Sequence, residues 1–146
     1  MTVGWNKKPV NNGNMALDAI GILVVAHGTL AGSLVECLRH VMGPALERVE
    51  FVAVLADADP DALLAEARAC VERLDTGAGV LVLTDLFGAT PSNVAHRLAV
   101  PGRVEVVSGA NLPMLVRAYA YRREKLEHAL AKAIAGGRDG IAGSTH

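Results

Sequence analysis

The stretch Ile22-Leu-Val-Val-Ala-His-Gly-Thr29 decides the fold. With Ile20 ahead of it, it is an apolar run closed by a histidine, a glycine and a hydroxyl residue. A run that is apolar on both faces suits a central strand of a parallel sheet covered by helices on each side. His27 then stands at the carboxyl end of that strand, where open α/β sheets gather their ligand-handling residues.

Outward from this stretch, short apolar runs alternate with helical spacing. Residues 20–26, 49–55, 80–84 and 104–108 read as strands rich in Val, Leu and Ile. The first and third are apolar throughout. The second and fourth carry Glu50 and Glu105, which suits positions nearer a sheet edge. Between them, Leu30, Leu34, Leu38, Val41 and Met42 line one helical face, stopped at Gly43-Pro44. Leu63, Leu64, Ala67, Cys70, Val71 and Leu74 line another, opened by Asp59-Pro60 as cap and first-turn proline. Pro91 opens a helix through Val94, Ala95 and Leu98. Leu126, Leu130, Ala133 and Ile134 mark a last helix ending at Gly136-Gly137.

This alternation predicts a doubly wound, three-layer α/β/α domain with a mainly parallel four-stranded sheet. A short C-terminal strand is expected at Gly140-Ile-Ala. Residues 1–18, polar and rich in Asn and Gly, read as a leader outside the core, and residues 19–146 as a single domain.

Composition narrows the function classes. The chain has 146 residues, 51% hydrophobic and 20% charged, enough apolar surface for one core. Aromatic residues are only 3%, too few for the stacking platforms that hold single-stranded nucleic acid. A net charge of −1 provides neither a basic field for nucleic acid nor a polybasic patch for anionic lipid. The longest apolar run is too short to span a bilayer, and Lys7 and Lys8 precede no apolar signal region. Cys37 and Cys70 lie in helical stretches and read as two buried thiols of a cytoplasmic protein.

Three segments fall on the carboxyl edge of the expected sheet: His27-Gly28-Thr29, Asp85-Leu-Phe-Gly-Ala-Thr-Pro91 and Ser108-Gly-Ala-Asn-Leu-Pro113. If the first and third strands are neighbours, His27 and Asp85 face each other. A carboxylate bonded to one imidazole nitrogen sets the tautomer and leaves the other nitrogen nucleophilic. Gly28 lets a phosphoryl group approach the backbone, the next helix offers free amides, and Thr29 and Thr90 add hydroxyl donors. There is no phosphate-binding glycine loop with lysine, so the pattern suits a phosphoryl group held on the protein rather than a nucleotide. Taken singly, each element has a plainer reading. A lone strand-end histidine is more often structural, Asp85 suits a helix cap, and Asn111 with Pro113 suits a turn. Their meeting on one edge favours a site.

These segments resemble the mannose-type enzyme IIA domain of the bacterial phosphoenolpyruvate-dependent sugar phosphotransferase system. The likeness rests on Val-Val-Ala-His-Gly-Thr-Leu-Ala, Val-Leu-Thr-Asp-Leu-Phe-Gly-Ala-Thr-Pro-Ser-Asn-Val-Ala and Val-Val-Ser-Gly-Ala-Asn-Leu-Pro-Met-Leu, and spans residues 20–136. The resemblance implies that His27 accepts phosphate from the phosphocarrier HPr and passes it to an enzyme IIB. It implies that Asp85 bonds the imidazole and that Thr90 lies near the phosphate. Leu86, Phe87 and Gly88 would form a partner or pocket loop, with Asn111 and Pro113 on the opposite side. It further implies a homodimer that exchanges a C-terminal β-segment. Partners would be HPr, an enzyme IIB or a regulatory protein, with contact to a membrane permease complex but no insertion. No metal or cofactor is called for. Gly88-Ala89 stands where the family often has two glycines, and Ser92 where it often has a bulkier residue, both mild departures. With no IIB module following, the chain is expected to act as a free-standing IIA.

Two alternatives share parts of the pattern. A small tetrapyrrole metal chelatase also runs a strand into His-Gly, but wants a second histidine at the rim. His40, His96, His128 and His146 all suit solvated or fold-neutral positions better. A phosphocarrier subunit for dihydroxyacetone kinase shares the fold and the histidine but has a different third-strand loop. A phosphoglycerate-mutase-like phosphatase would want Arg before His-Gly, and residue 26 is Ala.

Overall fold

The computed structural model describes residues 18–145, so the leader reading falls almost wholly outside it. The expected strands form β1 (Gly21–His27), β2 (Val49–Val54), β3 (Val80–Thr84) and β4 (Val104–Val107). They pair in parallel in the order β2-β1-β3-β4. The two strands apolar on both faces thus take the centre. Glu50 and Glu105 lie on the edge strands, where a carboxylate keeps contact with water.

Helices α1 (Leu30–Met42), α2 (Pro60–Leu74), α3 (Thr90–His96), α4 (Leu112–Ala120) and α5 (Leu126–Asp139) cover both faces. Period-two alternation sorts the strand side chains into two cores. Ile22, Val24, Ala26, Leu81 and Leu83 pack with α1, α4 and α5. Leu23, Val25, Val52, Val54, Val80, Val82 and Val104 pack with α2 and α3. This is the three-layer α/β/α arrangement. The chain leaves β1 outward to β2, then returns past β1 to build β3 and β4. Helices α1 and α3 therefore depart on opposite faces, and the ends of β1 and β3 flank the topological switch point.

The local signals at two helix ends operate as expected. Asp59 accepts a bond from the Ala62 amide at 3.3 Å with Pro60 opening α2, and α1 stops at Gly43.

Four readings need correction. Residues 140–142 form no strand. A strand needs a neighbouring edge, and α5 instead delivers Gly140 against α4, where an added Cβ would lie 2.4 Å from Pro113 Cγ. Gly136-Gly137 does not end the last helix, which runs on to Asp139. Gly136 is there for contact: a Cβ would meet Arg117 Cβ at 2.6 Å, so its absence lets α5 lie close on α4. The segment after Pro113 is not a plain turn but α4, with Asn111 as its cap. Finally, Cys70 is buried but Cys37 is exposed, because it projects from the outer face of α1.

Candidate functional site

His27 is the last residue of β1 and Asp85 directly follows β3, the adjacent strand. Strand pairing alone therefore brings them together across 58 residues of sequence. Asp85 Oδ2 accepts a bond from the His27 amide at 3.0 Å and lies 2.8 Å from His27 Nδ1. The other carboxylate oxygen, Oδ1, accepts from the Leu86 amide at 2.9 Å. Burial works to raise the Asp85 pKa, but the His27 amide, the His27 ring and the Leu86 amide outweigh it and hold the carboxyl below the usual aspartate value. An ionised carboxylate can only accept, so the hydrogen between the two side chains lies on Nδ1, and Nε2 takes no part in that bond. The Asp85 side chain is 12% exposed and that of His27 49%, so the base is sheltered and the imidazole open.

Gly28 has φ +57°, a left-handed conformation that turns the chain from strand to helix within two residues. Its amide donates to the Val54 carbonyl at 2.9 Å and is not free for a ligand. The open donors begin at Leu30, the first residue of α1. Thr29 caps α1 without a side-chain bond to it, and the first turn of α1 carries no acidic residue. The leading amides of the helix, which have no intrahelical partner, thus follow His27 closely in the chain and carry no side-chain cap.

The loop after Asp85 reaches outward. Leu86 is 62% and Phe87 78% exposed. The Gly88 carbonyl accepts from Asn93 Nδ2 at 3.2 Å, which ties the loop to α3, and Thr90 is the exposed first residue of that helix. The Phe87 ring meets His96 edge to face, centroids 6.1 Å apart.

Asn111 and Pro113 have other engagements. Asn111 Oδ1 accepts from the Met114 amide at 2.9 Å, capping α4, while its Nδ2 donates to the Gly137 carbonyl at 3.1 Å, tying α4 to α5. Leu112 and Pro113 line a groove of about 330 Å³ with Val41, Val116, Arg117 and Gly136. That groove is apolar and contains none of His27, Asp85 or the 85–90 loop.

Sequence reasoning missed a chain of hydroxyls beneath the site. Thr84 Oγ1 lies 2.9 Å from Ser108 Oγ, which lies 3.2 Å from Ser92 Oγ. Ser92 Oγ is 3.3 Å from His96 Nδ1, which also bonds the Ser92 carbonyl at 2.8 Å. Thr84 and Ser92 are essentially fully buried. No spacing rule links these residues. They meet because β4 pairs with β3 and α3 packs back over β3 and β1.

Of the remaining histidines, His40 and His128 are exposed, and His146 lies outside the described residues. Among the described residues, no three His, Cys, Asp or Glu side chains are grouped to hold a metal ion, and no helix is long and apolar enough to cross a membrane.

The sequence and fold have known counterparts. A family model described as "PTS system fructose IIA component" matches residues 21–135. The mannose-specific EIIAB component of the phosphotransferase system from Escherichia coli K12 is 31% identical over 125 residues, covering 84% of this chain. This chain spans only 38% of that longer relative. Among solved structures, phosphotransferase system component EIIA from Streptococcus agalactiae superposes with a TM-score of 0.77 at 29% identity, covering 86% of this chain and 98% of that one. A IIA protein associated with the fucose utilization operon of Streptococcus pneumoniae gives a TM-score of 0.77 at 26% identity, over 87% and 94% of the two chains.

Proposed function

The chain belongs to the PTS system fructose IIA component family, and on that premise we propose that His27 is its phosphate-carrying residue. The observation that carries this reading is the pair of bonds from His27 to Asp85 Oδ2 beside the uncapped start of α1. Three requirements of a phosphohistidine are met together: a fixed tautomer, an open Nε2, and donors for the phosphoryl oxygens.

Phosphate arrives from HPr as its phosphohistidine. The Nε2 lone pair of His27 attacks phosphorus in line, the donor's N–P bond breaks, and the donor imidazole leaves with that electron pair. The positive charge that develops on the His27 ring is balanced by Asp85. Phosphoryl oxygens are received by the leading amides of α1 and by the hydroxyls of Thr29 and Thr90, with Gly28 leaving the approach clear of a side chain. In a second in-line step a nucleophile of an enzyme IIB attacks the phosphorus, the His27 N–P bond breaks and the His27 ring leaves with that electron pair, in sugar uptake or in a regulatory phosphorelay. Exposed Leu86 and Phe87 provide an apolar docking rim for these small partners. The protein acts in the cytoplasm as a homodimer, and residues 19–146 form its single IIA domain.

The test is direct. Incubation with phosphoenolpyruvate, enzyme I and HPr yields acid-labile phosphate on the native protein and none on His27→Ala. Label on another residue, or no label with any HPr, overturns the assignment.

A further inference from the structure

We propose that Ser108 is a positioning residue for phosphoryl transfer, setting the place of Asp85 and through it the ring of His27. The inference rests on the phosphohistidine reading and adds to it a role for a half-buried hydroxyl.

Asp85 orients the imidazole, so whatever holds Asp85 decides how well the ring is aimed. Among the described residues its side chain bonds His27 and Leu86, and both lie in the segments it must organise. Its main chain is anchored from elsewhere. The Gly109 amide donates to the Asp85 carbonyl at 3.1 Å and the Ala110 amide to the Thr84 carbonyl at 2.8 Å. The turn at 108–110, just beyond the β3–β4 ladder, therefore grips the end of β3 and the residue that carries the carboxylate.

That turn is itself fixed by Ser108. Its Oγ stands between Thr84 Oγ1 at 2.9 Å and Ser92 Oγ at 3.2 Å. Thr84 immediately precedes Asp85, and Ser92 lies in α3, where the 85–90 loop ends. One hydroxyl thus joins three segments: the end of β3, the start of the 108–110 turn, and α3. Both partners are themselves buried, so their hydroxyls depend on bonds made within the protein. Removing the Ser108 hydroxyl leaves the Thr84 hydroxyl without that bond and frees the turn to shift. The carboxylate follows.

The experiment compares Ser108→Ala, Ser108→Thr and Ser92→Ala with the native protein by two readouts. Imidazole ¹⁵N shifts report the His27 tautomer and its bond to Asp85 without any phosphate present. Initial rates of labelling from phospho-HPr report transfer. In the native protein the shifts show one tautomer with Nδ1 protonated. Ser108→Ala mixes the tautomers and lowers the maximal transfer rate by roughly tenfold, with the HPr concentration at half-maximal rate unchanged. Ser108→Thr, which keeps the hydroxyl, restores both. Ser92→Ala leaves the bond to Thr84 and gives a smaller change of the same kind. If Ser108→Ala does not fold, Ser92→Ala decides by the same two readouts. Native shifts and native rates in the alanine variants overturn the proposal. If the native protein takes no label, the phosphohistidine reading falls, while the ¹⁵N comparison still decides whether Ser108 positions His27.

Discussion

Asp85 Oδ2 holds both ends of His27, accepting from its backbone amide at 3.0 Å and from its ring Nδ1 at 2.8 Å. Two bonds from one residue to one oxygen tie the imidazole to the strand that carries it. The ring cannot turn about its side-chain torsions without giving up the second bond. A free imidazole exchanges tautomers and rotamers quickly. This one is held by Asp85, so on the proposed phosphohistidine role the entropy of aiming the nucleophile is lost on folding rather than during transfer.

Asp85→Asn keeps the shape and removes the charge. The amide no longer enforces a proton on Nδ1 or balances an imidazolium, so labelling of His27 from phospho-HPr is expected to slow by on the order of 10²- to 10⁴-fold. Stability provides a second check. The folded-state pKa of Asp85 is lowered, so its contribution is fully present above the unfolded value of about 3.9 and is lost as pH falls through the lower folded value. The Asp85 part of the stability difference between native protein and Asp85→Asn should therefore shrink in acid below that point. Urea unfolding across pH measures it.

Phe87→Ala should slow transfer while leaving unfolding within about 0.5 kcal/mol of native, because a ring 78% exposed gives little to the core. An unchanged transfer rate removes Phe87 from the docking rim.

The thiols should react very differently. Cys37 is exposed on α1. Burial, then the hydrogen bond and charge of Glu50, push the Cys70 thiol up to about 11, so almost no thiolate exists there at neutral pH. A thiol reagent added to folded protein should titrate one cysteine quickly, and Cys37→Ser should abolish that phase. The second thiol should appear only on unfolding.

Gly136→Ala should destabilise by about 1–3 kcal/mol, since the new methyl meets Arg117 Cβ at 2.6 Å and the Pro113 carbonyl at 3.2 Å. Gly137→Ala should cost less, because its nearest neighbour is the flexible end of Met114 at 3.0 Å. Denaturant midpoints of the two variants test the order.

What was legible in the sequence had local causes. Apolar periodicity located all four strands and four of the five helices, because burial on one face or two imposes a period that needs no partner to be read. Glu50 and Glu105 marked the edge strands by the cost of burying a carboxylate. Helix α4 escaped because Met114, Leu115, Val116, Ala118 and Tyr119 are all buried, which leaves little stripe to detect. Its start was nonetheless signalled by Asn111 as cap with Pro113 in the first turn. Gly136-Gly137 misled for the opposite reason: glycine also marks close helix contact, and only the neighbouring helix distinguishes that from a stop.

The same division holds at the site with which the chain opens its core. The amino-acid sequence alone was enough to place His27 at the end of a central strand with Gly28-Thr29 leading into a helix, since hydrophobic patterning places strand ends without knowledge of neighbours. Only the tertiary structure decided that β3 lies beside β1, that Asp85 binds both nitrogen donors of His27, and that Ser108 bridges Thr84 to Ser92. Hydrogen bonds between residues far apart in sequence depend on strand order and register, and a period along one chain carries neither.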